Sequence, residues 1–206
     1  MSEPAAEPTV FIVDDDAGVR DSVVALIESH GFATEVFASG TAFLQAMAAG
    51  RRGCVLLDMR LPDMTGLTVQ MKLRDLGINL PVVMITAFAD VPLAVAAMRA
   101  GAADFLEKPY ADDVLIAAVR MALARAEAVA SVDAQMARIT ARLAQLTPRE
   151  REVLDRLLAG RQNKQIAHDL GISPRTVEIH RARVMEKMQA GSLSELVRVV
   201  LTVRRQ

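Results

Sequence analysis

Val10-Phe11-Ile12-Val13-Asp14-Asp15 is a short apolar run that ends on two carboxylates, and Cys54-Val55-Leu56-Leu57-Asp58 repeats the pattern further along the chain. Runs this short and this continuously apolar read as strands buried on both faces, as in a parallel sheet. Working outward, strand-like runs also occupy 34–37, 82–85 and 104–106, and amphipathic stretches begin near Gly18, Gly40, Thr65, Val91 and Asp112. Strand and helix alternate five times over about the first 125 residues. That alternation predicts an α/β domain, a parallel sheet covered by helices on both faces. Gly31, Gly53, Gly77 and Gly101 stand where helices should stop before the next strand. In open sheets of this kind ligands bind beyond the carboxyl ends of the strands, and Asp14, Asp15, Asp58, Thr86 and Lys108 all fall there.

The chain's 206 residues are long for one small domain and suit two. Hydrophobic residues make up 52% of it, yet aromatics are 3% and Trp is absent, so the cores must be aliphatic. No stretch approaches the roughly 18 to 20 apolar residues of a membrane span, and residues 1–8 are acidic and Ala/Pro-containing, unlike a signal peptide. The expectation is a cytoplasmic protein with no membrane partner. Cys54, the one cysteine, excludes an internal disulfide and reads as a small buried hydrophobe. Charge is unevenly spread. Residues 1–146 carry 12 Lys+Arg against 18 Asp+Glu, net −6, whereas 147–206 carry 12 against 7, net +5. The second part suits a polyanion and the first repels one.

Between the two parts Val129, Val132, Met136, Ile139, Leu143 and Leu146 recur at alternating spacings of three and four, close to the period of a coiled coil. No Pro or Gly interrupts 111–147, so the fifth helix can run on into this segment. Two readings stand open for 126–146: a dimer-forming coil, or an amphipathic linker helix folded back on a domain. About two and a half heptads are present, short of the three or four that settle the matter.

A carboxylate accepts a phosphoryl group poorly unless the charge on the incoming oxygens is neutralised. Hard oxygen ligands from Asp15 and Asp58, helped by Asp14, suit Mg²⁺. Lys108 can then pair with one phosphoryl oxygen and the Thr86 hydroxyl can donate to another, with small Ala87 leaving room. Met59 is expected to offer its backbone carbonyl to the cation. Here the chain resembles the receiver domain of two-component response regulators, through Val13-Asp14-Asp15-Asp16, Leu57-Asp58-Met59-Arg60-Leu61-Pro62-Asp63-Met64-Thr65-Gly66, Ile85-Thr86-Ala87 and Glu107-Lys108-Pro109. The resemblance covers about 9–125. It implies a flavodoxin-like, doubly wound five-stranded sheet in the order 2-1-3-4-5, and Asp58 as the residue phosphorylated by a sensor histidine kinase. It further implies Asp14 and Asp15 as the acidic pocket, Thr86 and Lys108 as phosphate sensors, and Phe105 as a rotating aromatic switch. Phosphorylation would remodel the face made by the fourth helix, fifth strand and fifth helix, where such domains commonly pair.

From Leu146 onward three helix starts carry identifiable caps: Thr147-Pro148-Arg149-Glu150, Ser173-Pro174, and Ser192-Leu193-Ser194-Glu195, with Gly160 and Gly191 as stops. Residues 163–170, a turn at Gly171, and 174–188 form a helix-turn-helix, in which small Ala167 permits close approach and Val177 seals the crossing. The second helix would enter the major groove by its N-terminal part. This segment resembles the LuxR-type DNA-binding domain of the NarL/FixJ response regulators. The match runs through Leu146-Thr147-Pro148-Arg149-Glu150-Arg151-Glu152-Val153-Leu154, Asn163-Lys164-Gln165-Ile166-Ala167 and Ile172-Ser173-Pro174-Arg175-Thr176-Val177-Glu178-Ile179-His180, over about 144–206. Helical spacing places Glu178, Ile179 and Ala182 toward base edges, and Lys164, Arg175, Thr176, His180, Arg183 and Lys187 toward phosphates. Glu178 can accept from a cytosine amino group and Ile179 can touch a thymine methyl.

His30 and His168 lack metal-ligand company, and no P-loop, nucleophile elbow, zinc spacing or kinase phosphoacceptor box is present. An aspartyl-phosphate hydrolase would want an acid/base Asp two residues after the nucleophile, where this chain has Arg60. A promoter-recognition subunit of RNA polymerase would carry a further core-binding region. The expectation is therefore a response regulator and not an enzyme, with a receiver at 9–125, a helical linker at 126–146 and an all-α, four-helix DNA-binding domain at 147–206. Its expected partners are a sensor histidine kinase, double-stranded DNA, RNA polymerase, and a second copy of the chain when phosphorylated. The alternative is a phosphorylation-independent regulator that dimerises through its linker helix.

Overall fold

The computed structural model describes residues 8–47, 50–87 and 91–204. The described residues form β1 (Thr9–Val13), α1 (Ala17–Ser29), β2 (Ala33–Phe37), α2 (Gly40–Ala46), β3 (Gly53–Asp58), α3 (Gly66–Asp75), β4 (Val82–Thr86), α4 (Val91–Arg99), β5 (Asp104–Glu107) and α5 (Asp112–Ala144). They continue with α6 (Pro148–Leu158), α7 (Asn163–Leu170), α8 (Pro174–Met188) and α9 (Leu193–Arg204). The chain divides into two compact units between Val129 and Ala130, within α5. Among the described residues no helix is long and apolar enough to cross a membrane.

In the first unit five strands pair in parallel in the order β2-β1-β3-β4-β5. Side chains alternate across each strand, so β1 sends Val10 and Ile12 to one face and Phe11 and Val13 to the other. The first pair packs with Val23 and Ile27 of α1 and with Leu115, Val119 and Leu123 of α5. The second packs with Phe43 of α2, Val69 and Leu73 of α3, and Ala97 of α4. Both faces are covered, which is why the strands read as unbroken apolar runs. Register does the rest: Val13 lies opposite both Phe37 and Leu57, Asp58 opposite Ile85, and Thr86 opposite Glu107. The residues that follow β1 and β5 and those that end β3 and β4 are thereby brought to one edge. Gly53 secures the β1–β3 register, because a Cβ there would lie 1.8 Å from the Thr9 carbonyl oxygen at a φ of +140°.

In the second unit, Ile139, Leu146, Leu154, Val184, Met188, Leu196 and Val200 form one core, and Val153, Leu157, Ile166, Ala167 and Val177 form another. The stripe on 129–146 is therefore divided. Ile139 is 3% exposed and, with Leu143 and Leu146, belongs to the core of this second unit, whereas Val129 and Val132 are 41% and 56% exposed. Half of the pattern that reads as a coiled-coil seam is thus explained by packing within a single chain.

The end of α5 also holds the end of α8. Arg142 Nη1 donates to the Met188 carbonyl at 3.3 Å, and Nη2 donates to Gln189 Oε1. Gln189 is the one non-glycine residue with positive φ among those described, at +53°, and it closes α8. A cation at a helix C-terminus meets the orphan carbonyls and the negative end of the dipole. Arg142→Ala is expected to cost about 1 kcal/mol, seen as faster amide hydrogen exchange in the last turn of α8 with the amides of the first unit unchanged.

Candidate functional site

The acidic site lies at the carboxyl edge of the sheet, and Lys108 is its centre. Its ammonium donates to Asp14 Oδ2 at 2.6 Å and to Asp58 Oδ1 at 2.9 Å. Lys108 is placed by β5, and its backbone amide donates to the Thr86 carbonyl at 2.7 Å. Asp58 Oδ2 accepts the Arg60 amide at 2.6 Å, and Asp14 Oδ1 accepts the Asp16 amide at 2.9 Å. Asp14 is 5% exposed, Asp58 8% and Thr86 1%, while Asp15 is exposed. Phe105 is half-buried on β5, packed toward the α2–α4 face of the sheet. The structure thus brings Asp14, Asp58, Thr86 and Lys108 together.

The two ends of the Lys108–Asp58 contact shift in ways that look inconsistent until charges are counted. Burial pushes the Asp58 carboxyl above its ordinary value, and the opposing pull of Lys108 and the Arg60 amide does not cancel it. Burial likewise disfavours the charged form of Lys108, yet its hydrogen bonds to Asp14 and Asp58 hold it above the ordinary lysine range. One ammonium serves two carboxylates, so the lysine is over-compensated and Asp58 under-compensated. The pocket is short of positive charge, and its side-chain acceptors are carboxylate oxygens. That donor set suits a hard cation such as Mg²⁺. Among the described residues no three acidic, His or Cys side chains converge as a ready metal cluster, for Lys108 stands between two of the carboxylates.

Two details differ from what the sequence suggested. The Met59 carbonyl, expected to face a cation, accepts the Gly66 amide at 2.9 Å, so a cation there would share it. Gly66 is required at that place, since a Cβ would lie 2.7 Å from the Asp58 carbonyl oxygen. The second is Asp63, to which the sequence reading gave no role: it accepts the amides of Gly40 at 3.1 Å and Thr41 at 2.7 Å, together with the Thr41 hydroxyl, fastening the loop after Asp58 to the start of α2. Those hydrogen bonds, the Thr41 hydroxyl first, hold the Asp63 carboxyl below its ordinary value. Ser39-Gly40-Thr41 signals a helix start, but a cap from 22 residues away leaves no mark in the sequence.

In the second unit, the Thr147–Glu150 capping box is formed: the Thr147 amide donates to Glu150 Oε2 at 2.9 Å and the Glu150 amide donates to Thr147 Oγ1 at 3.3 Å. Gly171 ends α7 with φ +64°, and Ser173 caps α8 through the Thr176 amide at 3.1 Å. Helix α8 buries Val177, Val184 and Met188, and 3.6 residues per turn then put Arg175, Glu178, Ile179 and Ala182 on the opposite, exposed face. Arg183 is exposed on one flank of that face, and Lys164 is exposed near the start of α7. The Thr176 hydroxyl lies 2.8 Å from Ser173 Oγ, and His180 is half-buried with Nδ1 lacking a partner among the described residues. Lys187 corrects the sequence reading. Expected at a phosphate, it donates instead to buried Glu150 Oε2 at 2.7 Å and to the Gln145 carbonyl at 3.2 Å, because it lies on the flank that packs against α6.

Comparison with known proteins agrees with both halves. The family model of the response regulator receiver domain matches residues 10–120, and that of the bacterial regulatory proteins of the luxR family matches residues 144–200. The transcriptional regulatory protein FixJ of Rhizobium meliloti is 49% identical over 194 residues, which cover 94% of this chain and 95% of that protein. FixJ of Bradyrhizobium diazoefficiens is 46% identical over 192 residues, 93% and 94% of the two chains. The tetrathionate response regulatory protein TtrR of Salmonella typhimurium is 44% identical over 190 residues, covering 92% and 90%. Among solved structures, the response regulator StyR superposes with a TM-score of 0.88 at 39% identity, covering 95% of this chain and 99% of its own. Full-length FixJ from B. japonicum gives 0.57 at 43% identity, covering 97% and 98%. With a receiver fold and a LuxR-type helix-turn-helix in one chain, the protein belongs to the FixJ-like two-component response regulators, which are DNA-binding transcriptional regulators.

Proposed function

We propose that Asp58 is the phosphoacceptor, and that a partner sensor histidine kinase supplies the phosphoryl group, which promotes pairing of receivers and promoter binding. The observation that carries this reading is the Lys108 ammonium held between Asp14 and Asp58 at 2.6 and 2.9 Å. An Asp58 carboxylate oxygen attacks the phosphorus of a phosphohistidine, forming the acyl phosphate as the P–N bond breaks and the imidazole leaves. Lys108, kept protonated by its two carboxylates, exchanges its hold on Asp58 Oδ1 for a phosphoryl oxygen. Asp14, Asp15 and Asp58 would hold Mg²⁺, which supplies charge neutralisation at the phosphoryl oxygens when bound. Thr86 senses the phosphate and Phe105 turns in response. An open groove of about 650 Å³ between α1 and the start of α5, bounded by Asp16, Val19, Lys108 and Tyr110, leaves the kinase a route to the site.

The same reading makes 9–125 the receiver, 126–146 the linker and 147–206 the DNA-binding domain, with the linker's last turns packed into the latter. Lys164, Arg175, Thr176, His180 and Arg183 meet phosphates, and Glu178, Ile179 and Ala182 meet base edges. The protein acts in the cytoplasm with RNA polymerase, and its chemistry is confined to its own Asp58, so it is not an enzyme toward other substrates.

Molar mass by light scattering, with and without beryllofluoride and Mg²⁺, tests the switch. The wild type is expected to shift from monomer to dimer and Asp58→Ala to stay monomeric. A dimer in every condition would favour the second reading, constitutive pairing through α5, which the exposure of Val129 and Val132 supports. In that case Val129→Ser with Val132→Ser dissociates it.

A further inference from the structure

The cations of the DNA-binding unit fall into two groups. Arg142, Arg149, Arg151, Arg156 and Lys187 are each held by an acceptor of their own unit. Arg138, Arg161, Lys164, Arg175, Arg181, Arg183 and Arg198 have no hydrogen-bond or ion-pair partner through their charged groups among the described residues, and of these Arg161, Lys164 and Arg181 are gathered at one place. These three line one open pocket of about 520 Å³, over the apolar side chains of Leu157 and Leu193, and no carboxylate lines it. Like charges gathered without a counter-charge repel, and an anion relieves that repulsion. Arginine forks and a lysine ammonium match the geometry of a phosphate's oxygens.

Helix α8 says which anion. Its exposed face is centred on Arg175, Glu178, Ile179 and Ala182 with Arg183 on one flank, while half-buried Arg181 lies toward the side that carries Val177 and Val184, where the pocket opens beside the start of α7. A helix in a major groove has a wall of phosphates on each side. We propose that the pocket of Arg161, Lys164 and Arg181 binds one phosphodiester of the DNA backbone, beside the start of α7. The proposal rests on α8 being the recognition helix, and it adds Arg161 and Arg181 to the DNA-contacting residues as positioning contacts without base specificity.

The test uses the full chain, a duplex selected by it from a random-sequence library, and a scrambled duplex of the same length. Affinity is measured across roughly 50 to 200 mM salt for the wild type and for Arg161→Gln/Arg181→Gln. A control, Arg138→Gln/Arg198→Gln, removes the same charge from exposed positions elsewhere in the unit. The pocket variant is expected to lower the slope of log affinity against log salt by about 0.9 per bound protomer, one phosphate's share, and to weaken both duplexes by the same factor. Arg181→Lys, which keeps the charge, keeps the slope, and far-UV circular dichroism of every variant matches the wild type. An unchanged slope in the pocket variant, or an equal fall in the control, overturns the pocket. A wild type that binds neither duplex overturns the recognition-helix reading and the pocket together.

Discussion

Asp58→Asn is expected to abolish phosphoryl uptake and, at neutral pH, to make the receiver more stable. The chemical half follows from the nucleophile. An amide in place of the carboxylate removes the attacking oxygen while its carbonyl can still accept the Arg60 amide or Lys108, so incorporation from acetyl phosphate should fall by at least about a hundredfold. The stability half follows from burial, which raises the Asp58 carboxyl above its ordinary value despite Lys108. A carboxyl whose folded value is raised binds its proton more tightly in the native state, so stability falls as pH climbs from the unfolded value through the folded one. At neutral pH the ionised Asp58 is a net cost that Asn does not carry. The melting temperature of Asp58→Asn should therefore exceed that of the wild type at pH 7, and the gap should narrow as the buffer is acidified and Asp58 takes up its proton. Mass spectrometry of the intact protein reads the first effect and calorimetry the second. Phosphoryl uptake by Asp58→Asn at the wild-type rate would move the acceptor elsewhere. A lower melting temperature at pH 7 would mean that Lys108 stabilises the Asp58 charge more than burial opposes it.

The same charge balance explains what the sequence could and could not disclose. Asp14, Asp58, Thr86 and Lys108 were legible because each ends or follows an apolar strand, and a parallel sheet leaves only one edge where strand ends meet. That Lys108 bridges two carboxylates, rather than waiting for a phosphate, was not legible. Spacing gives the address of a side chain, whereas its partner depends on rotamers and on the local shortage of counter-charge. The stripe from Val129 to Leu146 left its two readings open for a related reason. Its period is set by burial, and the packing of Ile139, Leu143 and Leu146 with Leu154, Val184 and Met188 produces the same spacing as a coiled-coil seam. Asp63 and the Arg142 cap on α8 escaped because both join residues far apart in sequence.

Lys187 is where the sequence reading and the structure make opposite predictions for one substitution. As a phosphate contact, Lys187→Ala would leave stability alone and lower the salt slope of DNA binding by about 0.9. The structure instead puts its ammonium 2.7 Å from Glu150 Oε2, with that carboxylate buried and also accepting the Thr147 amide. Burial pushes Glu150 upward, but Lys187 and the Thr147 amide outweigh it and leave the carboxyl below its ordinary value. Removing the lysine strands a buried charge, which costs 3 to 5 kcal/mol at fully buried sites. Here the Lys187 side chain is 32% exposed, so water recovers part of that and about 2 kcal/mol is expected. A carboxyl lowered on folding contributes stability above its unfolded value and loses it as pH falls through the folded one. The wild-type DNA-binding unit should thus weaken on acidification below about pH 4.3, the ordinary glutamate value, and this acid step should shrink in Lys187→Ala. Amide exchange across α6 and α8 reads both effects. Glu150→Gln combined with Lys187→Met removes both charges and should be milder than Lys187→Ala alone, because no charge is then left buried. If Lys187→Ala keeps the wild-type exchange pattern and lowers the salt slope, Lys187 is a DNA contact and its pairing with Glu150 is incidental. If it loosens α8 while the slope holds, the lysine acts by setting the recognition helix against α6.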